Sequence, residues 1–281
     1  MSRAVDVAIH GAGKVGQALF AAGRRAGLRM SLRAARRGLP GVPWDAPLVV
    51  LTVRDRDLAP TAARIAELGL VSRDTVVVHV AGAQPASVLD ALRPVCAGVA
   101  QMHPMIAFAT TGFTPTLAGG HVHVAGDPEA VRRARRFAAR LGMRPRTFPG
   151  LDTTCYHAAA GLVANGATAL AAAGTVLLSR AGVPEAKVPL LLGPLLRSVA
   201  ENVEALGLPG ALTGPVRRGD AAAVRSHLAT LERLAPELVP LYLAMAGAQL
   251  PLARALGDAP EQAFDEVARV LSQDTNPKDR A

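Results

Sequence analysis

"VDVAIHGAGKVGQALFAAGRRAGL", residues 5–28, decides the fold. Residues 4–10 read as a strand, Gly11 to Gly16 as a tight turn, and the residues after it as a helix running to about Gly27. The turn carries the spacing Gly11-Ala12-Gly13-Lys14-Val15-Gly16. A G-x-G-x-x-G is weak by itself, but here it follows a strand and opens a helix. In that setting Gly11 permits the turn, Gly13 lets backbone approach a pyrophosphate, and Gly16 lets helix and strand pack closely. The free N–H groups of the helix start then face the phosphates. This stretch therefore predicts a dinucleotide site.

Further along, the chain keeps alternating. "RMSLR", "PLVVLTV" (47–53) and "DTVVVHVAG" (74–82) read as strands, and "LAPTAARIAELGL" and "SVLDALRPV" as helices. "GVAQMHP" and "GGHVHVAGD" are short strands, "PEAVRRARRFAARLG" is a helix opened by Pro128, and "RPRTFP" is a last strand. Alternation of this kind predicts an α/β unit with a doubly wound, mainly parallel sheet. Ligands bind at the carboxyl ends of such strands, so Thr52, Val53, Ala81 and Gly82 join Gly11 to Gly16 as candidate cofactor contacts.

The character changes near Gly150. Helices are expected at about 153–181, 184–206, 220–233, 236–256 and 260–272, with Pro194 kinking the second. The polar tail "SQDTNPKDRA" is expected to fray. The division is a nucleotide-binding domain over 1–151 and an all-helical domain over 152–281, the latter for substrate binding and dimerisation.

NAD sites place an acid about 20 residues after the glycines to bond the ribose 2′-hydroxyl. No acid lies between Asp6 and Asp45; Arg33, Arg36 and Arg37 stand there instead. Guanidinium groups suit a 2′-phosphate, so the expected cofactor is NADP.

Half of the 281 residues are hydrophobic but only 3% aromatic, which makes Ala, Leu and Val the core material. The net charge of +9 is spread through helices without aromatic interleaving, which speaks against nucleic acid and suits a phosphate-rich cofactor with an acidic small substrate. Cys96 and Cys155 match no metal or redox spacing and are expected as reduced, mostly buried thiols of a cytoplasmic protein. The N-terminus does not read as a signal peptide. The run from Ala158 to Ser179 has no charged residue and is long enough for a bilayer, but its Ala and Gly content reads better as a buried helix than as a membrane span.

Seven histidines are present, and no metal-ligand spacing emerges from them, although His121 and His123 alternate on one strand. His227 reads as a helix-surface residue. His103, in "QMHPM", ends a strand of the sheet, and His157 opens the first helix of the second domain with Asn165 eight residues on. Eight residues of helix rise about 12 Å, so His157 and Asn165 cannot hold the same atom.

"HGAGKVG", "VVHVAGA", "MHPM", "YHAAAGLVAN" and "LTGPVRRGD" together resemble a family of Rossmann-like oxidoreductases whose helical C-terminal domain is largely uncharacterised. Pyrroline-carboxylate reductase, ketopantoate reductase and prephenate dehydrogenase are relatives of that family. "MHPM" is similar to the His-Pro-Met of prephenate dehydrogenases, which implies that His103 handles a substrate proton; the serine those enzymes carry is missing from "HVAGA". "YHAAAGLVANGATAL" is similar to the ketopantoate reductase helix that bears a lysine acid and two asparagines, with His157 on the lysine position, Gly161 on the first asparagine and Asn165 on the second. The resemblance marks His157, His103 and Asn165 as catalytic candidates. In "LTGPVRRGD", Arg217 or Arg218 is a candidate to pair a substrate carboxylate, and Asp220 is a helix N-cap. The expected activity is NADPH-dependent reduction of a small 2-keto acid, ketopantoate first, or of an imine. The competing reading is a cofactor-binding sensor without turnover. A homodimer formed through the C-terminal domain is expected.

Overall fold

The computed structural model describes residues 5–273. Most of the tail expected to fray, residues 274–281, and residue 4 of the first strand lie outside them. The described chain forms two compact units that part between Ala164 and Asn165.

The first unit holds a seven-stranded sheet in the order β2-β1-β3-β4-β5-β6-β7. Its strands are β1 (Val7–His10), β2 (Met30–Arg33), β3 (Leu48–Leu51), β4 (Val76–His79), β5 (Gly98–Pro104), β6 (His121–Gly126) and β7 (Arg144–Arg146). β1 to β5 pair in parallel, β6 runs antiparallel to β5, and β7 is parallel to β6. This is the mainly parallel, doubly wound α/β sheet expected.

The strand sequences explain their place. β1, β3 and β4 are buried along their whole length, as "VAIH", "LVVL" and "VVVH" require: both faces are covered, and β-branched residues fit the pleat. Alternate residues divide between two cores. Val7, Ile9, Val50 and Val78 pack with Leu19 and Phe137; Ala8, Val49, Leu51 and Val77 pack with Leu58, Ile65 and Leu89. The covering helices are α1 (Lys14–Arg25), α2 (Leu58–Glu67) and α3 (Pro128–Arg140), with Pro128 in the first turn of α3. "SVLDALRPV", expected as an α-helix, is instead a 3-10 stretch, Ala86–Leu92. The segment is short, and Pro94 has no N–H with which to extend it.

α4 (Thr153–Arg180) begins in the first unit and ends in the second. α5 (Val188–Leu206), α6 (Ala221–Leu234), α7 (Val239–Leu256) and α8 (Glu261–Gln273) follow. Pro194 sits inside a continuous α5, and Pro251 inside α7. The core of the second unit comes mainly from α6, α7 and α8, through Val224, Leu228, Ala246, Ala253, Phe264 and Val267. Asp220 caps α6 as expected, accepting the Ala223 N–H at 3.0 Å. His227 is exposed on α6 and bonds the Tyr242 hydroxyl.

Two expectations fail. α4 is no buried spine: none of its residues is buried within the chain, with Leu162 78% and Val163 73% exposed, although it is long and apolar enough to cross a membrane. Charge-free sequence reports that an apolar partner is needed, not that the same chain supplies it. Cys96 is buried, but Cys155 is exposed on the first turn of α4.

Candidate functional site

The strand order turns at β1, whose neighbours β2 and β3 lie on either side, so a crevice opens beyond the carboxyl ends of β1 and β3. The glycine loop occupies it. Gly11 has φ 118°, and a Cβ there would meet the Thr52 carbonyl oxygen at 2.6 Å. A Cβ on Gly16 would stand 2.0 Å from the Gly11 carbonyl oxygen, so helix and loop meet only because both residues are glycine. Around Gly13 there is open space. Thr52 locks the loop, its hydroxyl donating to the Gly11 carbonyl at 2.6 Å. α1 starts with no side-chain cap and no acid in its first turn, leaving its N–H groups for an anion. Open backbone at Gly13 beside these donors fits a dinucleotide pyrophosphate.

Two cavities meet here. One, about 450 Å³, runs from Gly11, Ala12 and Gly13 past Thr52 and Val53 to Arg36, Arg54 and Asp57. The other, about 410 Å³, shares Gly13, Thr52 and Val53 and continues along Lys14, Val15, Ala81 and Gly82 to His103 and His157. Ile106 and Phe108, from the segment after β5, form an apolar wall of the second.

The arginines after β2 divide their work. Arg33 donates through Nε and Nη2 to the backbone carbonyls of Arg37, Gly38 and Leu39, so it braces the loop, and it does not line the cavity. Arg36 lines the cavity. Arg54, from the segment after β3, faces the same cavity and had no motif to announce it.

At the other end, β5 holds the turn after β4. Gln101 is buried and donates to the carbonyls of Ala81 and Gly82, while His103 Nδ1 lies 3.1 Å from the Val80 carbonyl. Since a carbonyl only accepts, Nδ1 carries the hydrogen. Burial pulls the His103 imidazole below its ordinary range, which keeps it neutral. Nε2 is then a bare acceptor, buried and without a hydrogen-bond partner among the described residues. The neutral ring therefore receives a hydrogen; it has none to give from that nitrogen.

His157 stands at the start of α4 against the same turn. A Cβ on Gly82 would fall 2.2 Å from His157 Nδ1 and 2.7 Å from His103 Cε1. Gly82 thus shapes the approach of both rings rather than only lining a cofactor path. Tyr156 stacks edge-on to His103 at 6.0 Å and tilts against His123 at 5.9 Å, and His123 stacks flat on Phe148. This aromatic wall was not anticipated, because its members come from four separate segments: β5, β6, the stretch after β7, and α4.

The other expected residues lie elsewhere. Asn165 is exposed, belongs to the second unit and lines neither cavity. Arg217 already has its carboxylate, Asp258, at 2.6 Å, and also donates to the carbonyls of Gly210 and Leu212, so it pins its own loop instead of a substrate. Arg218 is exposed.

The chain is a Rossmann-like unit followed by a helical one. Residues 121–249 match the model of a domain of unknown function, DUF2520. Among solved structures the chain is similar to a Bacteroides fragilis protein assigned as an NADP oxidoreductase, with 20% identity, a TM-score of 0.67, and coverage of 87% of this chain and 97% of that one. It is also similar to Plasmodium falciparum pyrroline carboxylate reductase with NADP bound, at 12% identity, TM-score 0.60, and coverage of 90% and 98%. A Myxococcus stipitatus imine reductase in complex with NADP+ gives 16% identity, TM-score 0.55, and coverage of 95% and 99%. No curated protein matches the chain. At these identities the likeness concerns the fold.

Proposed function

We propose that the protein is an NADPH-dependent reductase of a small carbonyl or imine compound. The observation that carries this reading is the continuity of the two cavities through Gly13, Thr52 and Val53, which links a phosphate-ready glycine loop to a pair of histidines. Gly11 to Gly13 and the start of α1 would hold the pyrophosphate, and Arg36 and Arg54 the 2′-phosphate. Bound NADPH supplies a hydride. His157, partly open to solvent, donates the proton to the reduced oxygen or nitrogen. His103 accepts a hydrogen bond from the substrate or product through Nε2 and so orients it. Val15, Ile106 and Phe108 exclude water from one side.

The protein is further proposed to work as a homodimer. The exposed apolar side chains of α4 and α5, among them Leu162, Val163, Leu190 and Leu195, support this, since a monomer leaves them in water.

The test is NADPH oxidation with a panel of 2-keto acids, ketopantoate first, and cyclic imines. Turnover of any member that disappears with His157→Ala supports the reading. Tight NADPH binding with no turnover across the panel would make the protein a cofactor-binding sensor instead.

A further inference from the structure

A further cavity lies at the opposite end of the strands. It measures about 730 Å³ and opens at the amino ends of β1 and β3, under α3. Its floor is apolar, from Val7, Leu28, Leu48 and Phe137. One wall is basic, from Arg132, Arg133, Arg136 and Arg140 of α3.

These arginines differ in what already holds them. Arg133 is fixed by Glu129 and by the carbonyls of Pro47 and Asp74. Arg132 pairs with Glu129, and Arg140 donates to the Ala26 carbonyl. Arg136 has no hydrogen bond or ion pair among the described residues. It sits one helical turn from both Arg132 and Arg140, and like charges at that spacing repel. Three carboxylates also line the cavity, Asp6, Asp74 and Glu129, but Asp6 is matched by Arg29 at 2.8 Å. Four guanidinium groups then face two carboxylates, a surplus of two positive charges.

We propose that this cavity is a binding site for a phosphate monoester with an apolar or aromatic body. A phosphate monoester carries about −1.5 to −2 charge near neutral pH, which matches the surplus. Arg136, with Arg140 beside it, presents the forked donors that phosphate oxygens take in pairs. The floor of Val7, Leu28, Leu48 and Phe137 receives the apolar body. The site is separate from the glycine loop, which lies at the carboxyl ends of the same strands, and it stands whether or not the protein is a reductase.

The probe is phenyl phosphate, titrated calorimetrically into the full chain with saturating NADPH, beside inorganic phosphate. The expected result is saturable 1:1 binding that Arg136→Ala weakens by about tenfold to a hundredfold, the loss that follows from a charge-assisted pair. Arg136→Lys should recover part of it, since it keeps the charge without the fork. Arg36→Ala, on the glycine-loop cavity, should leave it unchanged. Inorganic phosphate should bind more weakly, lacking the apolar body. Arg136 is exposed and unbonded, so its substitution tests the site without threatening the fold. No saturable binding up to about 10 mM, a range in which even weak specific ligands are detected, would overturn the proposal. So would equal affinity in wild type and Arg136→Ala, loss in Arg36→Ala alone, or phenyl phosphate binding no better than inorganic phosphate.

Discussion

The imidazole of His157 stands edge-on to that of His103, with ring centroids 5.5 Å apart and planes inclined by 69°. The two rings are not equivalent. The Val80 carbonyl commits the hydrogen of His103 to Nδ1, while His157 has no such anchor among the described residues. His157→Ala should therefore lower kcat by about 10²–10⁴-fold, the usual worth of a general acid, with NADPH affinity nearly intact. His103→Ala should chiefly raise KM by removing the acceptor. If His103→Ala takes the kcat loss and His157→Ala costs only stability, the roles are reversed.

Gly82→Ala tests the shape of that pair. The added Cβ has no room beside His157 Nδ1 and His103 Cε1 and must push at least one ring away. Activity should fall while the thermal midpoint and the NADPH dissociation constant change little. Unchanged kinetics would mean that the rings do not need their present spacing.

In the proposed function, nucleotide choice rests on Arg36 and Arg54. The protein should bind NADPH more tightly than NADH. Arg36→Ala should cut NADPH affinity by about tenfold to a hundredfold, with NADH little affected. Arg33→Ala should instead loosen the loop and weaken both nucleotides together. Dissociation constants for both cofactors in the three proteins decide this, and a wild type that prefers NADH contradicts it.

Acid should destabilise the fold through buried imidazoles. His79 is fully buried, its Nε2 donating to the Pro85 carbonyl, and burial pulls it down to about 4. Burial also lowers His10, His103 and His123. Unfolded histidine titrates near 6.5, so in the window below that the unfolded chain binds more protons. The contribution is complete above about pH 6.5 and is lost progressively toward about pH 4, with His79 alone accounting for about 3 kcal/mol. Thermal midpoints measured across this range should decline, and His79→Gln should decline less steeply. Parallel curves for the two proteins would remove His79 from the account.

The dimer is checked by light scattering, which should give about twice the 29.0 kDa of the chain at micromolar concentration. Charges placed on exposed apolar side chains of α4 and α5, Leu162→Glu with Leu195→Glu, should yield a monomer. A wild type that stays monomeric there would leave the apolar face of α4 unexplained.

Local pattern made most of the architecture legible. The strand-glycine-helix unit, the buried strands and the five helices after residue 150 all follow from short-range periodicity, and each formed close to its expected bounds. The failures are of another kind. Whether Arg33 or Arg36 meets the cavity depends on which guanidinium the loop backbone captures. Arg217 looked available because its partner Asp258 lies far along the chain. Arg54 reaches the site through the sheet order and carries no motif of its own, while Gln101 and Tyr156 stand in "QMHPM" and "YHAAAGLVAN", where the histidines drew the reading. The exposure of α4 was illegible because composition does not say which molecule covers an apolar face.

The compact units part after Ala164, within α4, and not at its first residue. Tyr156 and His157 therefore belong to the Rossmann-like unit, although the change in sequence character comes before them. A chimaera joined at residue 151 would pair this glycine loop with another protein's counterpart of His157, and one joined after 164 would keep its own. Recombination within such a fold can exchange most of the helical half without touching His157, but only if the crossover falls inside the helix.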